Sequence, residues 1–283
     1  DRLLAFSEYF CGNISLITHV NICRIITALC AALAGLAPGY AQINVDQVVR
    51  VGRNALYFED YVLSIQYFNQ AIAAKPYLAQ PYFYRAVAKY SLDDMRGAEA
   101  DASLAIDRNP FITDAYEIRG VARQNSGNLE GAIADYRKVL DMMPVNKGVM
   151  FNLAMAQQDA GLTDSAEVTF QRLFKLSPGY ERAYMGYANL LLHKGDTVGA
   201  QTNIDKALDI NRFNVGALIF HANLAMQKGK DGFATALADM DEAIRLEPRQ
   251  PSFFVNRAYL RHELDDYYGA MSDFDYALQL DPV

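Results

Sequence analysis

The sequence predicts an all-α fold, a solenoid in which pairs of helices stack one after another along the chain. Proline recurs at intervals of 34 residues, and small residues recur with the same period at two other places. A fixed period of this length is typical of arrays of one supersecondary unit. The 283 residues are therefore better divided into repeats than into one or two conventional domains.

The prolines predict where each repeat ends. Six of them share one register, with intervals of 34 residues and a single interval of 70, which is two repeats plus two residues. They are Pro76, Pro110, Pro144, Pro178, Pro248 and Pro282. Because proline lacks an N–H and clashes with the preceding turn, each is expected to close a helix.

Two series of small residues predict where the helices of a pair cross closely, because a small side chain lets two helix axes approach. One series is Gly52, Ala86, Gly120, Ala154, Ala188, Ala222 and Ala258. The other is Ser64, Ala98, Ala132, Ala166, Ala200, Ala236 and Ala270. Each series has one interval of 36, which places a two-residue insertion in the turn at 228–232.

Each repeat contains two segments with helical periodicity. Met150, Leu153 and Ala154 show the spacing of one apolar face in a first segment. Gly195 and Asp196 show the chemistry of the turn between two segments, since glycine permits a positive φ and aspartate caps the next helix. Such a helix pair cannot bury its apolar face alone, so the pairs must stack.

This pattern resembles the tetratricopeptide repeat, a helix–turn–helix unit. In the third repeat the residues that carry the resemblance are Tyr116, Gly120, Ala132, Tyr136 and Pro144. The resemblance covers seven repeats, at 45–78, 79–112, 113–146, 147–180, 181–214, 215–250 and 251–283. It implies a right-handed α-solenoid over an array spanning 42–283. Arg212 at the fifth proline position, Ser64 at the first alanine position and the lack of Trp depart from the family pattern.

Comparison of the repeats with one another predicts ion pairs between the two helices. Arginine precedes the first small residue in repeats two, three and seven, and aspartate follows sixteen residues later in the same repeats. The pairs are Arg85 with Asp101, Arg119 with Asp135, and Arg257 with Asp273; repeat six has His221 and Asp239. Such pairs are expected to fix the register of the helices rather than to add net stability. The alternative is that these are independent, solvated charges.

Nothing in the sequence favours catalysis. A net charge of −7 and a pI of about 5.1 argue against nucleic-acid binding. There is no glycine-rich phosphate loop and no nucleophile elbow, and the four histidines lack metal-ligand spacing. Acidic pairs such as Asp265-Asp266 are better explained as helix caps. The chain is expected to be a non-enzyme without metal or cofactor.

The resemblance implies that the first helices line a concave groove that receives a peptide or helix of a partner, through the fifth, ninth and twelfth places of each repeat. The candidate groove residues are Phe83, Val87, Tyr90, Phe151, Met155, Met185, Asn189, Leu192, Asn223, Met226, Tyr259 and His262. Methionine adapts to varied partners and aromatic rings supply buried area. The alternative is that these side chains pack against neighbouring helices.

One well-known class of partner is not expected. Family members that bind the acidic C-termini of chaperones carry Lys at the fifth and Asn at the ninth place, with Lys and Arg at the second and sixth places of a later repeat. Here Val49 and Arg53 occupy the first pair of places in repeat one, and Met185 and Asn189 occupy them in repeat five. This carboxylate clamp is therefore absent.

Residues 1–41 differ from the array and predict a secretory signal. Arg24 precedes an apolar run at 25–37, which is too short to cross a bilayer. Gly39 and Ala41 supply the small residues expected before a cleavage ahead of Gln42. All three cysteines fall in this segment. The alternative is an apolar helix docked on the first repeat.

Taken together, these features predict a protein–protein interaction scaffold exported to a bacterial envelope compartment, either periplasmic or associated with the outer membrane. A first alternative makes the array the targeting or regulatory arm of a larger enzyme or envelope assembly whose C-terminal domain is absent from this chain. A second is a structural protein that self-associates through an uncapped C-terminal end, since solenoids normally cover their last apolar face.

Overall fold

A computed structural model describes residues 44–281, so the segment interpreted as a secretory signal and the last proline of the series, Pro282, lie outside the described residues. Between 44 and 281 the chain is α-helical, with fourteen helices and no strand. They are α1 (Val45–Tyr57), α2 (Tyr61–Ala74), α3 (Ala79–Ser91), α4 (Met95–Arg108), α5 (Thr113–Asn125), α6 (Leu129–Met142), α7 (Lys147–Asp159), α8 (Thr163–Leu176), α9 (Glu181–His193), α10 (Thr197–Ile210), α11 (Val215–Met226), α12 (Lys230–Leu246), α13 (Pro251–Glu263) and α14 (Tyr267–Leu280).

The described residues belong to two compact parts, which we treat separately. One ends at Tyr77 and contains the helix pair α1–α2; the other begins at Leu78 and contains the six pairs from α3–α4 to α13–α14. In both parts the strongest packing is within a pair. In the second part each second helix also packs against the first helix of the next pair. The predicted all-α solenoid of stacked helix pairs is confirmed.

The turn inside each pair forms for the local reasons that the sequence indicates. The backbone takes a positive φ at glycines such as Gly127 (81°) and Gly195 (80°). In repeats two and seven Asp93 and Asp265 have a positive φ at the same place. The next residue usually caps the second helix: Asp266 Oδ1 accepts the amide of Gly269 at 2.9 Å. The acidic pairs at these turns are therefore structural.

The two series of small residues lie where the helices of a pair cross. Ala154, Ala166 and their counterparts in the second part are almost fully buried. At Gly120 the two helices approach closely, since an added Cβ would lie 2.7 Å from the Tyr136 ring. The aromatic ring of the second helix thus fills the space left by the small residue.

The two-residue insertion of repeat six lengthens a helix rather than a loop. Helix α12 has 17 residues where other second helices have 14, and α11 has 12 where other first helices have 13. The turn is held by Gly229, whose φ is 66°. Helix α12 then passes so close to α11 that a Cβ on Gly232 would lie 1.8 Å from the Ala225 carbonyl oxygen.

Candidate functional site

The twelve candidate groove residues, which we call the first-helix face, all remain at least partly exposed. Ten lie on α3, α7, α9 and α11 and are half-buried, except for Asn223, which is exposed. The two on α13, Tyr259 and His262, are exposed. Helix α3 contacts α5, α5 contacts α7, and α7 contacts α9, so these first helices lie side by side from one repeat to the next, although α5 carries none of the twelve residues.

A ladder of polar side chains links successive first helices across this face. Asn125 on α5 donates to the Tyr90 hydroxyl at 3.4 Å, Gln124 donates to Asp159 at 2.9 Å, and Gln158 donates to Asn189 at 2.6 Å. None of these contacts could be read from spacing within one repeat. The buried Oε1 of Gln158 has no hydrogen-bond partner among the described residues.

Phe151, an aromatic residue of the face, also packs at the junction between repeats four and five. The Phe151 ring meets Phe170 and Tyr180 edge-on, with centroids 6.4 and 6.0 Å away. Gly186 on the next first helix lies so close that an added Cβ would be 3.0 Å from the Phe151 ring. Phe151 therefore offers only part of its surface to solvent.

The Arg–Asp pairs proposed from the sequence are bidentate in the structure. Nε and Nη2 of Arg119 donate to the two carboxylate oxygens of Asp135 at 2.9 and 2.7 Å. Arg85 meets Asp101 at 2.7 and 2.5 Å, and Arg257 meets Asp273 at 2.9 and 2.7 Å. Only 3–4% of each aspartate side chain is exposed, so these are not independent solvated charges.

Each of these buried aspartates also binds a second cation, which the comparison of repeats had overlooked. Lys89 lies 2.8 Å from Asp101, Arg123 lies 2.8 Å from Asp135, and Arg261 lies 2.9 Å from Asp273. The signal was present in the sequence, because each second cation stands four residues after the arginine, one helical turn further on the same face.

Two of these arginines, which stand at the seventh place of their repeats, also contact the second helix of the preceding repeat. Arg119 donates to the Ser103 hydroxyl at 3.2 Å, and Arg257 donates to Asp241 at 2.7 Å. In both cases the acceptor stands sixteen residues earlier, on the second helix of the previous repeat. One side chain thereby ties three helices together.

Repeats four and five have other contacts at the same places, without an Arg–Asp pair. In repeat four the Thr169 hydroxyl donates to Gln157 Oε1 at 2.7 Å, where the other repeats place a carboxylate and a second cation. In repeat five the Tyr187 hydroxyl donates to Glu167 at 3.0 Å on the preceding second helix. Burial and this carboxylate raise the pKa of Tyr187.

Repeat six replaces the arginine with His221, which lies between two acids from different repeats. Its Nδ1 is 2.6 Å from Asp239 and its Nε2 is 3.4 Å from Asp205. The hydrogen bond with Asp239 raises the pKa of His221, and the charges of Asp239 and Asp205 add to this effect. Burial and the nearby Lys228 oppose it.

Between 44 and 281 there is no group of three or more histidine, cysteine, aspartate or glutamate side chains that could hold a metal ion. In the same stretch no helix is both long enough and apolar enough to span a bilayer. The polar chemistry of the described residues consists of caps, ion pairs and amide contacts.

Comparison with known families supports the resemblance that the sequence indicates. Residues 125–190 match the family model described as "Tetratricopeptide repeat". This stretch is therefore similar to tetratricopeptide repeats. The fourteen helices correspond to seven such repeats. No curated protein matches the sequence.

Solved structures show the same fold at low sequence identity. Yeast Tom70 superposes with a TM-score of 0.69 at 17% identity, covering 95% of this chain and 58% of Tom70. A tetratricopeptide repeat protein from Parabacteroides merdae gives 0.67 at 16% identity, with 84% and 93% of the two chains covered. Pseudomonas aeruginosa pilF gives 0.59 at 17% identity, with 72% and 92% covered. This fold supports a role as a protein-interaction scaffold.

Replacement of Asp135 by alanine should destabilise the array strongly, because it leaves the half-buried Arg119 without its carboxylate and removes one of the two carboxylates that Arg123 contacts, the other being Glu99. We expect a loss of about 3–5 kcal/mol in the free energy of unfolding, measured by urea denaturation. The control is Asp141→Ala, an exposed aspartate on the same helix, which should change stability by less than about 0.5 kcal/mol. A loss at Asp135 below about 0.5 kcal/mol would contradict the buried ion pair.

Stability at repeat six should depend on pH through His221. Because the folded pKa of His221 is raised above 6.5, its contribution is fully present below pH 6.5 and is lost as the pH rises through the folded pKa. The measurement is the unfolding midpoint between about pH 5.5 and 9 for the wild type and His221→Gln, whose difference should shrink with rising pH. His193→Gln, on an exposed site of α9, is the control. A difference that stays constant or grows with pH would contradict this assignment.

Proposed function

We propose that the protein binds a peptide or helix of a partner protein on the first-helix face, which would act as the concave groove of the array. The observation that carries this proposal is the partial exposure of all twelve side chains of the face, while the small residues of the same helices, such as Ala86, Ala154 and Ala188, are buried. A surface of aromatic, methionine and amide side chains supplies apolar contact area and hydrogen bonds to a bound chain.

The polar ladder indicates how such a segment would be held. Gln158 and Asn189 are neighbouring amides, and the Gln158 Oε1 is buried without a hydrogen-bond partner among the described residues. An unpaired buried acceptor carries a desolvation cost that a donor from a ligand would relieve. A backbone N–H of an extended or helical segment has the required chemistry, and the flanking Phe151 and Met185 would contact its side chains.

The test compares capture of partners by two double variants of the full chain. Tyr90→Ala with Asn223→Ala removes two side chains of the first-helix face at separate repeats. Val168→Ala with Val198→Ala removes two highly exposed side chains of the second helices, 69% and 76% exposed, and serves as the control. Quantitative mass spectrometry of the captured proteins should show partners that the first variant loses and the control retains. Identical partner sets for the wild type and both variants would reject binding at this face.

We also propose that the array works in an exported compartment, periplasmic or at the outer membrane of a bacterium. The support is the sequence of the first 41 residues, with Arg24, the apolar run at 25–37 and the small residues Gly39 and Ala41. A mature chain starting at Gln42 would contain no cysteine, which suits an oxidising compartment.

N-terminal sequencing of the protein isolated from a bacterial expression host, separated into cytoplasmic and periplasmic fractions, tests the proposed export. The periplasmic protein should begin at or near Gln42, because a signal peptidase cleaves after the small residues. Ala41→Tyr with Gly39→Tyr is the matched variant, and it should block this cleavage. An unprocessed protein confined to the cytoplasm would instead favour the apolar helix docked on the first repeat.

A further inference from the structure

The junction between repeats three and four contains an open hollow of about 580 Å³. Its walls are formed by α6, by the turn at Pro144 and by α7 and α8. We call it the junction hollow. None of the residues that line it belongs to the first-helix face, so a ligand bound here would be independent of the function proposed for that face.

The hollow is present because the seventh place of repeat four holds a leucine. In repeats three, five, six and seven this place holds a longer side chain that contacts the preceding second helix; these side chains are Arg119, Tyr187, His221 and Arg257. Leu153 is shorter and has no polar end, so it makes no such contact and the corresponding space stays open.

The charge on the preceding second helix is also reversed at this junction. At three other junctions one place of that helix pairs with the incoming side chain, as Ser103, Asp205 and Asp241 do. Arg137 occupies the same place in repeat three and lines the hollow. No carboxylate of residues 44–281 forms an ion pair with it. A cation therefore stands where the other junctions have an acceptor.

Two further side chains direct donors into the hollow. Nη2 of Arg172 on α8 donates to the carbonyl oxygen of Pro144 at 3.2 Å, which leaves Nε and Nη1 without a partner among the described residues. Gln157 is 3% exposed, and its Oε1 accepts from the Thr169 hydroxyl at 2.7 Å. Its amide nitrogen is therefore left to donate. The groups available for a ligand are two guanidiniums and an amide N–H.

The lining favours a singly charged anion with a short apolar part. Arg137 and Arg172 against Asp141 leave a net charge of +1. A planar carboxylate matches the fork of a guanidinium and carries a single charge, whereas a phosphate dianion would be repelled more strongly by Asp141. Leu140 and Leu153 add apolar surface to the lining, which a short aliphatic chain would cover.

We propose that the junction hollow binds a carboxylate carried on a short aliphatic chain, either the side chain of a glutamate in a partner protein or a free short-chain acid. The carboxylate would accept hydrogen bonds from Arg137, Arg172 and Gln157, while the aliphatic part lies on Leu140 and Leu153. The ligand would thereby supply the acceptor that this junction lacks and the others contain.

The test titrates the ¹⁵N-labelled full chain and follows its amide and guanidinium resonances by NMR at low salt. The probes are a capped alanine pentapeptide with a central glutamate, the same peptide with a central glutamine, and butyrate. The glutamate peptide should bind at least about tenfold more tightly than the glutamine peptide, because only it offers a charged acceptor. Tighter binding of the peptide than of butyrate assigns the ligand to a protein segment, and the reverse order assigns it to a free acid.

Single variants test whether the hollow is the site. Arg137→Gln should weaken binding about five- to tenfold, because it removes one charged donor. Lys138→Gln removes the same charge from the adjacent exposed place of α6, outside the lining, and should change the affinity less than about twofold. Asp141→Asn should strengthen binding about two- to threefold, because it removes the negative charge of the lining.

A triple variant closes the hollow with the chain's own chemistry. Arg137→Asp, Leu153→Arg and Thr169→Asp together reproduce Asp241, Arg257 and Asp273 of the junction with repeat seven. This variant should keep its helical content by circular dichroism and lose all binding of the probes. Retained binding would overturn the proposal. So would the absence of binding of both carboxylate probes to the wild type, or equal losses in Arg137→Gln and Lys138→Gln, and these single variants decide where the triple variant does not fold.

Discussion

The architecture of the part that begins at Leu78 depends on one recurring contact: a first helix packs over a side chain of the preceding second helix and buries it. Phe170 is fully buried because Gly186 and Tyr187 of the following repeat lie against its ring. Stability is therefore shared between neighbours, as expected for a solenoid.

The buried ion clusters fix the register of the two helices in a pair, because apolar packing alone does not define the rotation of one helix against another. Asp135 receives Arg119 and Arg123 from one helix face, so only one register of the pair satisfies all three groups. Desolvation offsets much of the attraction, so the gain is mainly in specificity. Repeats four and five keep the architecture without an Arg–Asp pair, through contacts such as Thr169 to Gln157, which shows that the clusters select a register that packing already allows.

Local chemistry explains why the helix pairs could be predicted and the contacts between them only in part. Pro144, Gly127 and Asn128 each act within a few residues, so a 34-residue register is enough to place helix ends and turns. The second cation of each cluster, such as Arg123, is also predictable from the sequence, because it stands one helical turn after Arg119. Contacts such as Gln158 to Asn189, 31 residues apart, depend on how consecutive repeats rotate against each other, and no residue within one repeat dictates that angle.

The first-helix face and the seam between repeats share side chains, and this has a consequence for binding. Phe151 touches Phe170 of its own repeat and Tyr180 ahead of the next first helix, while Arg182 lies 5.0 Å from its ring. A ligand that covers the remaining surface of Phe151 and reaches Asn189 contacts two repeats at once. It can fit both only at one rotation between them, so its binding energy favours that rotation over the others. The proposed recognition on this face would thus depend on the same packing that joins the two repeats.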